Sequence, residues 1–79
     1  MNNSEKYLKC FEETFELTEE EIIKMEYASS KVWDSAAHMV LISHIEDTFD
    51  IMMDAEDIID LSSYEKGKDI LNAKYNVGF

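Results

Sequence analysis

The chain has 79 residues, no proline and a single cysteine, so it is too short for more than one domain and cannot form an internal disulfide. Its 18 acidic residues outnumber seven basic ones, and a net charge of −11 excludes proteins that bind nucleic acid or anionic membranes through positive charge. Residues 1–79 are expected to form one monomeric domain that does not enter a membrane. Because the chain has no disulfide and no leader-like N-terminus, we expect it in the cytoplasm.

Apolar residues recur at helical spacing along the chain, which predicts an all-α fold. The first helix is predicted from about Ser4 to Phe15 because one apolar stripe runs along it. The residues of that stripe are Leu8, Phe11 and Phe15, with Tyr7 beside them. Cys10 lies to one side of the stripe and is interpreted as a small packed hydrophobe rather than a reactive thiol.

A short helical turn is predicted after Thr18, because Thr18 and Glu21 have the spacing of a capping box, in which side chains and backbone bond reciprocally. This turn is expected to place Ile22 and Ile23 against the core. Residues 25–33 show no sustained period and predict a long loop, and a long ordered loop in so small a domain is often functional.

The second long helix is predicted to begin at Asp34 or Ser35 and to end near Phe49, with Asp34 as its N-cap. Its core face is predicted from apolar residues that lie about one turn apart. Those residues are Met39, Ile42, Ile45 and Phe49.

Two further helices are predicted in the last third of the chain. A short third helix spans Ala55 to Asp60, and a second capping box at Ser62 opens the last helix, about Ser63 to Lys74. The third helix is expected to bury one of two neighbouring residues, Ile58 or Ile59. Gly67 weakens the last helix by about 1 kcal/mol relative to alanine, unless a neighbouring group packs closely over it. The expected architecture is a small four-helix bundle with three longer helices and the short third one.

The acidic residues are concentrated in one stretch, since no lysine lies between Val32 and Glu65. Either these acids form a solvated surface that keeps the protein in solution, or they form a docking face for basic partners. Charge alone favours the solvated surface. The nine acids are Asp34, Glu46, Asp47, Asp50, Asp54, Glu56, Asp57, Asp60 and Glu65.

The pair Asp34-Ser35 at the start of an amphipathic helix is the most informative feature of the sequence. It places a hydroxyl at the positive end of the helix, where a phosphate ester would be favoured. An Asp-Ser pair taken alone is more often a simple helix cap.

From Asp34 to Ile70 the chain resembles the acyl carrier protein family without a gap. That family begins its second helix with Asp-Ser-Leu and ends it with Glu-Glu-x-Phe-Gly-Ile; an acidic loop, a short third helix and a Ser- or Thr-capped last helix follow. The corresponding segments here are 34–36 (Asp-Ser-Ala), 45–51 (Ile-Glu-Asp-Thr-Phe-Asp-Ile), 54–57 (Asp-Ala-Glu-Asp) and 61–64 (Leu-Ser-Ser-Tyr). The first helix and the turn at 17–22 also fit, so the resemblance covers nearly the whole chain.

The resemblance implies a carrier that is not itself an enzyme. A phosphopantetheinyl transferase, with Mg²⁺, would attach 4'-phosphopantetheine from coenzyme A to the hydroxyl of Ser35, and acyl groups would be carried on its thiol as thioesters. Asp34 matches the family position that helps the transferase to dock. Other partners would be acyl-loading and acyl-transferring enzymes with basic patches, in fatty acid synthesis or a specialised pathway.

The resemblance also turns the acidic stretch into an expected docking face. Departures from the family pattern are Ala36 in place of leucine, Val40 in place of an acid and Asp50 in place of glycine. Either Val40 is a neutral surface substitution, or, because an exposed valine can bury apolar area, docking is split between an apolar contact near Ser35 and a charged contact further along. The expected partner-binding residues are Ala37, Val40, Glu46, Asp47, Asp54, Glu56 and Asp57. The pattern Trp33-Asp-Ser-x-x-His38 looks more like specialised free-standing carriers than like fatty-acid carriers.

Other functions are less well supported by the sequence. Ser35 and His38 are three residues apart, but a hydrolase also needs an oxyanion hole and a pocket, so His38 is interpreted as a boundary residue. The spacing of histidines and acids predicts no dedicated metal site. Met52 and Met53 either fill gaps in the core or line the entrance of an acyl cavity. The main alternative is an acidic helical interaction module without a prosthetic group.

Overall fold

A computed structural model describes residues 2–27 and 31–79, and within these ranges the chain forms five helices and no strand. The helices are α1 (Asn3–Phe15), α2 (Glu19–Ile22), α3 (Ser35–Phe49), α4 (Ala55–Asp60) and α5 (Tyr64–Lys74). The predicted all-α class is confirmed, as are the three longer helices and the short helix before the last one. Positions 28–30 of the predicted loop lie outside the described residues.

Helix α1 begins at a side-chain cap and buries mainly aromatic residues. The side-chain oxygen of Asn2 accepts the Glu5 N–H at 2.8 Å. After the last helical residue, Glu16 adopts a left-handed backbone conformation that ends the helix. Its buried residues are Tyr7, Cys10, Phe11 and Phe15. The predicted stripe is therefore confirmed at the two phenylalanines. Leu8 is half-buried and packs against the core, and Tyr7 beside it is fully buried.

The capping box predicted at α2 is confirmed. Thr18 Oγ1 accepts the Glu21 N–H at 3.4 Å, and the Glu21 carboxylate accepts the Thr18 N–H at 3.2 Å. Ile22 is fully buried, but Ile23 is exposed. A four-residue helix presents about one turn to the core, so the prediction that both isoleucines pack inward was wrong for Ile23.

Helix α3 begins where the sequence predicts, and its buried face agrees with the prediction at Ile42 and Ile45 but differs near the start of the helix. Asp34 Oδ1 accepts the Ala37 N–H at 2.9 Å, which confirms the N-cap. Met39 is 53% exposed, so its predicted place in the core was wrong. The buried positions follow one another at intervals of three, one and three residues, so they lie on one continuous face of the helix. They are His38, Leu41, Ile42 and Ile45.

The bounds of α4 are confirmed, whereas the start of α5 differs from the prediction. Ser63 is the cap of α5, and its Oγ accepts the Lys66 N–H at 3.1 Å. The capping box predicted at Ser62 was therefore wrong by one residue. Ser62 instead uses its backbone carbonyl, which accepts the Tyr27 N–H at 2.8 Å. In α4 the buried residue is Asp57; Ile58 is half-buried and Ile59 is exposed.

An aromatic cluster from α1, the loop before α3 and the start of α5 lies within the core. Phe11 lies at its centre, with its ring centroid 5.0 Å from Tyr7, 5.2 Å from Tyr64 and 5.7 Å from Trp33. Trp33 comes from the predicted loop and is fully buried, so this loop contributes to the core rather than covering it. No helix formed by the described residues is long and apolar enough to cross a membrane.

Candidate functional site

The N-terminus of α3 presents a serine hydroxyl to solvent. Ser35 is the first residue of the helix and is exposed, as is Asp34 before it. The Asp34 carboxylate bonds the Ala37 N–H, which orients the start of the helix. Backbone N–H groups in the first turn have no carbonyl partner inside the helix, so this end of α3 favours an anionic group. The residues Tyr27, Trp33, Asp34, Ser35 and His38 are called the Ser35 site below.

His38 supports this site from beneath. Its Nδ1 accepts the indole N–H of Trp33 at 3.0 Å, because an indole nitrogen can only donate. The hydrogen of the neutral ring is then on Nε2, which donates to the Ile58 carbonyl oxygen at 2.6 Å. His38 is 6% exposed, so its interpretation as a boundary residue was wrong. Since both nitrogens are bonded to other groups, His38 is not placed to take a proton from Ser35, and a hydrolase site gains no support.

Tyr27 is a site residue that the sequence did not reveal. Its ring stacks on the His38 ring, with centroids 4.9 Å apart and an interplanar angle of 15°. Its hydroxyl oxygen lies 3.0 Å from Ser35 Oγ. The residue is in the predicted loop, where helical periodicity gives no information about neighbours. An aromatic residue eight positions before the serine was the only signal in the sequence.

The predicted docking residues are not all available on the surface. Asp57 has a side chain that is only 3% exposed; it accepts Lys74 Nζ at 2.8 Å and the Tyr75 hydroxyl at 2.6 Å. These two hydrogen bonds, first that of Lys74, hold the pKa of Asp57 below its usual range. The Glu46 carboxylate accepts the Met53 N–H at 2.9 Å, and Ala37 is half-buried against the core.

The remaining docking candidates are exposed. Four of the seven expected residues present their side chains to solvent: Val40, Asp47, Asp54 and Glu56. Seven of the nine acids between Val32 and Glu65 are exposed, the exceptions being Glu46 and Asp57. On α3, a solvent-facing stripe runs from the Ser35 site towards the other end of the helix. Its residues are Ser35, Ala36, Met39, Val40, Ser43 and Asp47, so the stripe is apolar near the serine and acidic further away.

A pocket lies between α1 and the later turns of α3. This pocket has a volume of about 280 Å³ and is lined by Lys6, Lys9, Cys10, Glu13, His44 and Thr48. Cys10 is buried there, with its Sγ 3.4 Å from Thr48 Oγ1. Burial raises the pKa of the Cys10 thiol, which keeps it protonated and unreactive, in agreement with its interpretation as a packed residue.

This pocket is remote from the serine. His44 and Thr48 follow Ser35 by about 14 and 20 Å along the helix axis, at a rise of 1.5 Å per residue. Met52 and Met53 are not among its lining residues; Met53 is buried in the core and Met52 is exposed. Among the described residues, no group of three His, Cys, Asp or Glu side chains is arranged to hold a metal ion.

Comparison of the chain with protein-family models, with curated proteins and with solved structures gives no match in any of the three. A functional proposal therefore depends on the ordered residue pattern from Asp34 to Ile70 and on the geometry of the Ser35 site.

Proposed function

We propose that this protein is an acyl carrier protein, in which Ser35 bears a covalent 4'-phosphopantetheine arm. The observation that carries the proposal is the position of Ser35. It is an exposed serine, the first residue of a long helix, and it directly follows the aspartate that caps that helix. A transferase can reach such a hydroxyl without unfolding the protein.

The residues around Ser35 fit a phosphate ester. The first turn of α3 favours negative charge, and the Asp34 carboxylate is held on the Ala37 N–H. When bound, the arm would supply a thiol that holds an acyl group as a thioester. The chain itself contributes a fixed attachment point, and the protein is proposed to be a carrier rather than an enzyme. Asp34 is proposed to take part in recognition by the transferase.

The helix order also supports the proposal. Three longer helices, α1, α3 and α5, each contribute buried residues to the core, and the short α4 lies between the last two in the chain. This is the order expected for a four-helix carrier bundle, with α2 as a single extra turn after α1. Trp33 and His38 are joined by a buried hydrogen bond, which accounts for the presence of both residues through packing of the core. The pair therefore does not by itself favour a specialised pathway over fatty acid synthesis.

Loading of Ser35 is the direct test. The protein is incubated with a broad-specificity phosphopantetheinyl transferase, Mg²⁺ and coenzyme A, and intact mass is measured. We expect one phosphopantetheinyl group on the parent and on Ser43→Ala, a control that removes another exposed serine of α3. We expect none on Ser35→Ala. An unmodified parent would favour the acidic interaction module, and a modified Ser35→Ala would place the arm elsewhere. Mass spectrometry of protein from its native host would identify the cargo.

We further propose that partners with basic patches dock along the exposed stripe of α3 and on α4. Val40 is 49% exposed and lies one helical turn after the exposed Ala36, so it offers apolar area near Ser35. Asp47, Asp54 and Glu56 offer negative charge further from the serine. Asp57 is left out of this surface because its carboxylate is buried against Lys74 and Tyr75. Glu46 is left out because its carboxylate bonds the Met53 backbone.

Three variants separate the apolar from the charged part of this surface. Val40→Glu is expected to reduce the rate of enzymatic acyl loading about fivefold, because about 1 kcal/mol of apolar burial is lost. Ser43→Glu adds the same charge one turn further and is expected to have less effect. Asp47→Lys is expected to weaken loading and to flatten its dependence on salt. Equal loading of Val40→Glu and the parent would exclude the apolar contact.

A further inference from the structure

Tyr27 contacts its neighbours through its backbone, its ring and its hydroxyl. Its backbone N–H donates to the Ser62 carbonyl at 2.8 Å, next to the bridge between Glu26 and Ser63. Its ring lies flat on His38, and its hydroxyl meets Ser35 Oγ at 3.0 Å. The main chain and the ring are therefore anchored independently of the hydroxyl, so the hydroxyl is presented to Ser35 from a fixed position.

The surface under Tyr27 is itself held in place. Both ring nitrogens of His38 are bonded, one to the buried indole of Trp33 and the other to the Ile58 carbonyl. The His38 ring therefore has a defined tautomer and orientation. Because Tyr27 stacks on that ring with an angle of only 15° between planes, the order of the core extends to the exposed serine through two stacked side chains.

The direction of the hydrogen bond follows from acidity. A phenolic hydroxyl is a better hydrogen-bond donor than an aliphatic hydroxyl. Tyr27 then donates and Ser35 Oγ accepts, so the Ser35 hydrogen remains free. One lone pair of Ser35 Oγ is occupied by this bond, and the other remains free for attack.

Building on the proposed carrier function, we propose that Tyr27 is a positioning residue that holds the Ser35 hydroxyl in one rotamer for attachment of the arm. In that step Ser35 Oγ forms a bond to the phosphorus of the phosphopantetheinyl group of coenzyme A. The bond from this phosphorus to the oxygen of adenosine 3',5'-diphosphate breaks, and that diphosphate leaves with the electron pair. The Ser35 proton passes to a base of the transferase. Tyr27 keeps its own proton throughout.

Removal of the Tyr27 hydroxyl should release the serine without disturbing its support. A serine side chain has three staggered rotamers, so loss of the bond lowers the population of the competent one up to about threefold. Tyr27→Phe keeps the stacking on His38 and removes only the donor. We expect a fall of about threefold in kcat for arm loading with an unchanged KM for the protein, because the docking surface is the same.

The rotamer is measured directly in the unloaded protein. Three-bond couplings between Hα and the two Hβ protons of Ser35 should indicate a single staggered rotamer in the parent and averaged rotamers in Tyr27→Phe. Tyr64→Phe is the matched control, because it removes the same atom from a ring that packs on Tyr7 and Phe11. This control should leave couplings and kcat unchanged. Thermal unfolding of each variant is measured to test whether the fold is retained.

The outcomes separate this inference from the carrier proposal. A parent that is loaded but has averaged Ser35 couplings, or a Tyr27→Phe variant with the kcat of the parent, would overturn the role of Tyr27 alone. A parent that no transferase loads would overturn the carrier function and this role with it. Single-rotamer couplings that become averaged in Tyr27→Phe, together with the fall in kcat, would support the role.

Discussion

A glycine is present at position 67 of α5 because the Tyr7 side chain packs directly against it. Tyr7 is fully buried, and its hydroxyl donates to the Tyr64 carbonyl at 2.7 Å. A Cβ at position 67 would overlap this hydroxyl oxygen and would lie 3.1 Å from Leu61 Cγ. The sequence predicts that Gly67 weakens α5 unless a neighbouring group packs closely over it, and the Tyr7 side chain is that group.

Gly67→Ala is expected to destabilise the protein although alanine is the better helix former. The helix preference favours alanine by about 1 kcal/mol, whereas overpacking against a buried ring costs about 1–3 kcal/mol. We expect a net loss of about 1 kcal/mol in the free energy of unfolding, measured by urea denaturation. Gly78→Ala is the control, because a Cβ there has no atom within 4 Å. A more stable Gly67→Ala would show that Tyr7 can move aside.

His38 shows why part of the buried face of α3 was not predicted from the sequence, although Ile42 and Ile45 were placed correctly. Treating the histidine as a boundary residue shifted the predicted face towards Met39, which is exposed. Burial of His38 depends on a donor five residues earlier, Trp33, and an acceptor 20 residues later, the Ile58 carbonyl. A buried polar ring is stable when its hydrogen bonds are satisfied, and those partners are set by tertiary structure.

At the scale of elements, α4 and α5 are joined by a charged and hydrogen-bonded contact. Asp57 of α4 accepts from Lys74 at the end of α5 and from Tyr75, whose hydroxyl also accepts the Asp54 N–H at 2.7 Å. The Asp57 contact, through its hydrogen bond, raises the pKa of Lys74. Burial first, and then the Asp57 hydrogen bond, raise the pKa of Tyr75. The contact is complete when Asp57 is ionised and its two partners are protonated.

The α4–α5 contact predicts an acid-dependent loss of stability. The pKa of Asp57 is lowered from its ordinary 3.8 by the hydrogen bonds of Lys74 and Tyr75. Its contribution is therefore fully present above that value and is lost as the pH falls through the lower folded pKa. The difference in Tm between the parent and Asp57→Asn should be constant near neutral pH and should disappear in strong acid. Asp60→Asn, an exposed acid of α4, should show a smaller difference. A difference that persists in strong acid would contradict this assignment.

At alkaline pH the α4–α5 contact loses stability through its other partner, Lys74, and here stability falls as the pH rises. The pKa of Lys74 is raised from its ordinary 10.5, first by the hydrogen bond to Asp57. This contribution is present below that value and is lost as the pH rises through the higher folded pKa. The contact is thus at full strength across the neutral range.

Helix starts were largely predictable because caps are local. The bonds at Thr18 and Asp34 join residues three apart, so a short pattern contains all of their information. At the start of α5, Ser62 and Ser63 offer the same side chain at adjacent positions. Ser63 is the cap, and the Ser62 carbonyl accepts the Tyr27 N–H from another part of the chain. Neither this pairing nor the contact of Tyr27 with Ser35 follows from local spacing.

At the scale of the whole molecule, negative charge opposes the fold. The net charge of −11 is spread over a body whose principal extents are 30, 27 and 18 Å. The Debye length is about 30 Å at 0.01 M ionic strength and about 10 Å at 0.1 M. Acids on opposite sides therefore repel each other in dilute buffer and are screened from each other near physiological salt.

Added salt is expected to raise the Tm at pH 7. Each kcal/mol of repulsion that is relieved should raise Tm by about 4–8 °C for a domain of this size. NaCl and MgCl₂ are compared at equal ionic strength by calorimetry. A variant with two exposed acids neutralised, Asp54→Asn with Glu56→Gln, should show a weaker dependence on salt. A Tm that does not respond to either salt would exclude charge repulsion as a destabilising effect.

Trp33 gives the molecule an intrinsic optical reporter. It is the single tryptophan of the chain, is fully buried, and donates its indole N–H to His38, on which Tyr27 stacks. Indole emission shifts to longer wavelength when the ring becomes exposed to water, and because the chain has one indole, excitation that is selective for tryptophan over the four tyrosines reports on this ring. Fluorescence of the unlabelled protein can therefore follow, in real time, whether the residues beneath Ser35 rearrange when an enzyme engages that serine.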